Sequence, residues 1–257
     1  MILPQGEKSG CFMIVRLIDR GYQISFHSAH ALLAQELANH LRSSELPRWF
    51  QTCAAITMHD DQKVAFQAGG THYLTAAGAT RDFTLMALRD DTRLLEARRQ
   101  IDEARRKHRW IGLLVSLHVD FLYRDGSKTS EMQAFLDGEQ ERRRSALSNM
   151  NVDEQLLRDN YQIMLWCDRC SLILCGNDIP AMQRRLEITN FPQLGRTEIW
   201  QDEDNSIHIA PWPFEHDAVD VSIEQRILKA LVFQDDAQLW QSLMDCTPSD
   251  RIFHLRR

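Results

Sequence analysis

A few polar side chains in this sequence stand where their neighbours are apolar, and those are the places where chemistry is expected. His30 is followed at helical spacing by Leu33, Ala34 and Leu37, so it lies on an apolar stripe, with His27 one turn before it. His59 and Asp60 stand together at the end of the mostly apolar run Phe50 to Met58. His118 has Leu114, Val115, Phe121 and Leu122 as its helical neighbours. Asp168 has Met164, Leu165 and Leu172, with Tyr161 a turn further back. An imidazole in such surroundings must satisfy its nitrogens, and a carboxylate there must be paired or bound to a metal.

Singly, each has a plain structural reading. A buried histidine can bond to a backbone carbonyl, and a buried aspartate can neutralise an arginine or sit at a helix N-terminus. Together they form a pattern: imidazoles, a His-Asp pair and an aspartate, supplied by separate helical segments. The set His30, His59, Asp60 and Asp168 is a nitrogen and oxygen donor set suited to manganese, iron, magnesium or zinc. Such a metal acidifies water enough to give a nucleophile near neutral pH. The four ligand groups are expected to converge within roughly 5 Å, because first-row metal bonds are about 2.0–2.3 Å long. Asp61, next to the pair, and His118 are the candidates for general base or further ligand. Lys63, Arg169 and the loop residue Arg81 are the candidates for holding a phosphate.

The elements that must position these residues follow from periodicity. "SAHALLAQELANHL" puts Leu33, Leu37 and Leu41 on one face, with Ser28 at the N-cap position. Phe50 to Met58, "DDTRLLEARRQIDEARRKHR", "WIGLLVSLHVDFLY", "MQAFLDGEQERRRSALSN" and "NVDEQLLRDNYQIMLWCDRCSLILC" read as further helices. The arginines of the second of these read as a solvated face with local acidic partners. "FQAGGTHYLTAAGATRDF", with three glycines and little period, reads as a loop near the site. Strand patterns lie at the two ends: "CFMIVRLIDRGYQISFH" as two strands around a turn, then "RTEIWQ", "SIHIAPWPF", "AVDVSIEQRIL" and "RIFHLRR", with "DDAQLWQSLMDC" a helix among them. The expected architecture is mainly α, a helical bundle over about 25–180. A small antiparallel β-sheet from the N- and C-terminal segments, about 11–26 and 196–257, packs onto it in a single domain, 1–257.

Composition narrows the class. The chain has 257 residues, 44% hydrophobic and 26% charged, with a net charge of −6. That balance gives nucleic acid no broad basic surface to bind. The N-terminus "MILPQGEKSG" lacks the basic start and apolar core of a secretory signal, and no run of about 18 apolar residues is present to span a membrane. A cytoplasmic location with reduced thiols is the expectation for the six cysteines. Cys167 and Cys170 form a CxxC inside an apolar helix with no second CxxC, which points to buried thiols rather than zinc.

The order His30, His59-Asp60, Asp168 resembles the HD-domain superfamily of metal-dependent phosphohydrolases. "WCDRCSL" is similar to that family's final aspartate helix, and "HDDQK" to its HDxGK pattern, with Gln62 in the glycine's place. His118 falls where two-metal members carry an additional histidine. The resemblance covers roughly residues 25–180. It implies an all-helical core, a divalent metal and a small phosphorylated ligand. Over nearly the whole chain, "MIVR", "HALLAQELA", "HDD", "LLVSLH", "LWCDRCSL" and "PWPF" together resemble an uncharacterised bacterial domain-of-unknown-function family. That likeness implies a complete single-domain member starting near Met13, with residues 1–12 as an extension.

Overall fold

A computed structural model describes residues 10–42, 46–60, 64–65, 73–86, 90–126 and 129–257. The chain begins with β1 (Gly10–Cys11), β2 (Met13–Ile18) and β3 (Gly21–Phe26), followed by α1 (Ala29–His40), α2 (Trp49–Met58) and β4 (Val64–Ala65). Four long helices come next: α3 (Asp90–Lys107), α4 (Arg109–Tyr123), α5 (Ser130–Met150) and α6 (Glu154–Gly176). The C-terminal part holds β5 (Leu186–Phe191), β6 (Gly195–Gln201), β7 (Ile207–Ala210), β8 (Ala218–Leu228), α7 (Asp236–Asp245) and β9 (Ser249–Arg256).

The expectation of a mainly helical bundle with a small antiparallel sheet is wrong. Among the described residues helix accounts for 49% and strand for 23%; β1 and β4 pair by themselves, and the other seven strands form a curled, mixed sheet resembling half a barrel. Its order is β2-β3-β8-β9-β7-β6-β5, with β7 and β9 parallel and the other pairs antiparallel. What joins the two chain ends is the pairing of β3 with β8, Tyr22 opposite Leu228. Gly21, at φ 134°, lets the β2–β3 turn approach that strand, where a Cβ would collide with the Leu228 carbonyl.

The sheet and the helices share one core. Leu33, Leu37, Trp110, Leu114, Met164 and Trp166 belong to the same buried cluster as Ile199, Phe214, Val221 and Phe253 of the sheet side. Burial along β8 alternates over its first six residues, as one face against helices requires. Two bonds fix the layers. Trp166 of α6 donates its indole N–H to Thr197 of β6 at 2.7 Å, and Glu36 of α1 accepts the backbone N–H of Ser222 in β8 at 2.8 Å. Cys167 and Cys170 are buried free thiols inside α6.

Thr52 ties together α2, α4 and α6. Its hydroxyl donates to Asn160 Oδ1 at 2.7 Å and accepts from the Trp110 indole N–H at 3.2 Å, all in the interior. Thr52→Val keeps the shape but leaves an indole N–H and an amide oxygen without these partners. The expected loss is about 2–3 kcal/mol in urea unfolding, whereas Thr57→Val, half-buried on α2, should change less.

Candidate metal centre

The polar residues singled out above come from α1, the end of α2, α4 and α6, and they meet inside the helical layer. His27, in the turn after β3, joins them. His27, His30, His59, Asp60, His118 and Asp168 are all buried, none more than 6% exposed. Asp60 Oδ2 lies 2.9 Å from His30 Nε2, 3.4 Å from His27 Nδ1 and 3.7 Å from His59 Nε2. Asp168 Oδ1 lies 3.1 Å from His59 Nε2 and 3.8 Å from His30 Nδ1. Three triplets, His27–His30–Asp60, His30–His59–Asp168 and His59–Asp60–His118, each have ligand atoms within 4.8 Å of one another. Donors arranged about one cation on bonds near 2.1 Å stand roughly 3.0–3.5 Å apart, so these spacings fit a metal with small adjustments.

Two histidines have Nδ1 committed to a protein acceptor. His59 Nδ1 donates to the Ile56 carbonyl at 2.7 Å, within its own turn. His30 Nδ1 donates to Ser171 Oγ at 3.2 Å, because the Ser171 hydroxyl already donates to the Asp168 carbonyl at 2.8 Å. Both rings therefore turn Nε2 toward a carboxylate, the arrangement that orients metal-binding histidines. The four imidazoles form a row, with ring centres 4.6 Å apart for His27–His30, 5.2 Å for His30–His59 and 5.0 Å for His59–His118. Phe83 covers the outer end, 4.3 Å from His27.

Charge explains how two carboxylates tolerate this interior. Burial by itself would lower the His59 pKa, but Asp60, Asp168 and the bond to Ile56 outweigh it and hold it at about 9. Burial would raise Asp168, but the His59 charge and hydrogen bond, with His118 and His30, hold it well below the usual carboxylate range. Burial first, then Asp168 and Asp120, push the Tyr161 phenol far up, so it stays protonated.

The expected metal set His30, His59, Asp60 and Asp168 is thus gathered in one place, with His118 beside it. Arg169 is exposed on α6, on a different face from Asp168. Arg81 lies in the segment before Phe83, where its backbone N–H bonds to the Tyr73 carbonyl. Asp61 and Lys63 lie outside the described residues. His27, one turn before His30 in the sequence pattern, was not among the expected ligands; it stands in the turn that precedes α1. Ser171 did carry a helical-face signal, three positions from Asp168 on the same helix face.

A family model, Protein of unknown function (DUF3891), matches residues 13–230. The chain belongs to the DUF3891 family. No curated protein and no solved structure matches it. For this DUF3891 chain the buried His/Asp groups are able to hold a metal ion, and no helix among the described residues is long and apolar enough to cross a membrane.

Two outcomes follow for the chelated protein. The folded pKa of His59 lies above its unfolded value of 6.5. Its contribution, on the order of 3 kcal/mol, is complete below pH ~6.5 and lost as pH rises through about 9. That of Asp168 is present above its unfolded value of 3.8 and lost as pH falls further. Urea midpoints without metal should therefore be highest near pH 4–6.5 and fall toward pH 9. Manganese binding at pH 7 must also displace the His59 Nε2 proton, releasing roughly one proton or more, measurable by calorimetry in two buffers of different ionisation enthalpy.

Proposed function

We propose that this chain is a metal-dependent hydrolase of a phosphoester. The observation that carries the reading is the paired ring orientation: His30 and His59 each have Nδ1 bonded to protein, by Ser171 and Ile56, and Nε2 facing a carboxylate. The order His30, His59-Asp60, Asp168 also resembles that of HD-domain phosphohydrolases, although the sheet is not that of a helical bundle. In this reading His30, His59, Asp60 and Asp168 hold a divalent cation of the manganese, iron, magnesium or zinc kind. When bound, the cation supplies Lewis acidity, acidifying water and offsetting phosphoryl charge. His118, next to His59 in the row, takes a proton from water or adds a nitrogen donor. Asp61 is the other candidate base, by its position next to Asp60 in the sequence. Arg169 and Lys63 remain phosphate contacts in this reading on sequence position alone.

A second reading, a metal-binding protein that performs no hydrolysis, is favoured by one observation. His27, His30, His59, Asp60 and His118 are at most 4% exposed, which leaves a substrate little room. Elemental analysis of the manganese-loaded chain, with turnover of 4-nitrophenyl phosphate and bis(4-nitrophenyl) phosphate, separates the two. Stoichiometric metal without turnover of either ester leaves the second reading, and absence of bound metal ends both.

Asp168→Asn and His30→Ala are expected to weaken manganese binding at least about tenfold. Ser171→Ala, which frees the His30 ring, should weaken it about 10–100-fold while the urea midpoint of the metal-free chain moves little. Unchanged affinity in Ser171→Ala would show that the serine does not set the imidazole.

A further inference from the structure

A described groove backs onto this cluster. It has a volume of about 630 Å³ and runs between α4, α5 and α6 to the end of β5. Its inner wall is one ring thick. Phe121 and Tyr161 both line it, and the His118 ring lies directly behind, 6.4 Å from Phe121 and 6.3 Å from Tyr161. Phe121 is 52% exposed, so its ring is free to rotate on the timescale of surface side chains. The Tyr161 hydroxyl is buried and has no hydrogen-bond partner among the described residues. A buried, unpartnered hydroxyl in a native interior needs an explanation, and a ligand oxygen supplies one. Two turns along the same face of α6 stands Asp168, whose side chain is 9% exposed, the most open of the cluster.

The lining also restricts what the groove takes. Its three arginines, Arg143, Arg144 and Arg158, are matched in number by the lining carboxylates Asp120, Glu154 and Asp159, so its own formal charge is zero. Arg158 is held by Glu154 at 2.6 Å and Arg143 by Asp120 at 3.5 Å, while Arg144 lies 3.4 Å from Glu141. A chain of phosphates would find no net attraction there. The remaining lining combines the amides Gln140, Gln155, Gln162 and Asn190 with an apolar and aromatic part that includes Phe121, Leu157 and Phe191.

We propose that this groove binds the organic part of the substrate, an aromatic or otherwise apolar group carrying a single phosphate, with Tyr161 donating to the phosphate at the inner end. The proposal rests on the reading of the cluster as a metal centre, and it assigns the groove, Phe121 and Tyr161 to substrate binding rather than to the core.

The test uses two non-hydrolysable probes, phenylphosphonate and methylphosphonate, titrated by calorimetry into the manganese-loaded full chain. Phenylphosphonate should bind at least about tenfold tighter, because only it has a ring to bury against the groove. Phe121→Ala, at an exposed position, should erase most of that preference. Tyr161→Phe should weaken both probes by about tenfold. Its thermal midpoint should hold or rise, since a buried unpartnered hydroxyl is removed, and manganese content should stay unchanged in both variants. Equal affinity for the two phosphonates, a preference that survives Phe121→Ala, or probe affinities that Tyr161→Phe leaves unchanged overturns the proposal while metal content stands. A chain that takes up no manganese overturns the metal-centre reading and this one with it. Phenylphosphonate preference without turnover of any ester overturns hydrolysis and leaves the groove assigned.

Discussion

Placing two carboxylates, Asp60 and Asp168, in the middle of an apolar layer is the constraint on which the rest of the structure depends. Unpaired carboxylates would be driven to protonate or would open the helices. The imidazoles make the arrangement tenable: His30 and His59 bond to Asp60 and Asp168 through Nε2, and His27 lies 3.4 Å from Asp60. That requires four segments to arrive at one point with their polar side chains inward: the β3–α1 corner, the end of α2, α4 and α6. Much of the surrounding hydrogen bonding keeps them there. Thr52 joins α2, α4 and α6, Ile56 and Ser171 turn the rings, and Trp166 anchors α6 to the sheet.

α6 has the most demanding role. Within six residues it sends Trp166 to β6, Asp168 and Ser171 to the cluster, and Cys167 and Cys170 into close packing. Arg169 is the one residue of Trp166 to Ser171 left exposed. A helix used on nearly every side tolerates little rotation, so the direction of Asp168 is set by sheet packing as much as by its own neighbours. A metal centre built this way inherits its rigidity from the fold rather than from the cation.

The helices and the convergence were legible in the sequence because both follow from local period. Leu33, Leu37 and Leu41 mark the buried side of α1, and the apolar neighbours of Asp168 mark its direction. The sheet was not legible to the same extent. β5 was missed because a register shift between Glu187 and Asn190 puts buried Ile188 and Phe191 three positions apart, which breaks the alternation a strand normally displays. Its union into seven strands depends on β3 meeting β8, and pairing between distant segments leaves no mark in either one. His27 was visible one turn before His30, but nothing local shows that a ring in the turn before α1 approaches Asp60.

The β3–β8 pairing also sets an order of events during synthesis. A ribosome releases β2, β3 and all the helices that carry the cluster well before it makes β8 and β9. Until then the β2–β3 hairpin has one edge without its native neighbour, and the sheet-facing sides of α1 and α6 are uncovered. Such surfaces are prone to mispairing in a nascent chain. The last strand to appear, β9, inserts between β8 and β7, so the sheet is completed from its middle rather than extended at an edge. This chain therefore makes the residues of its buried cluster before the strands that close the layer holding them in place.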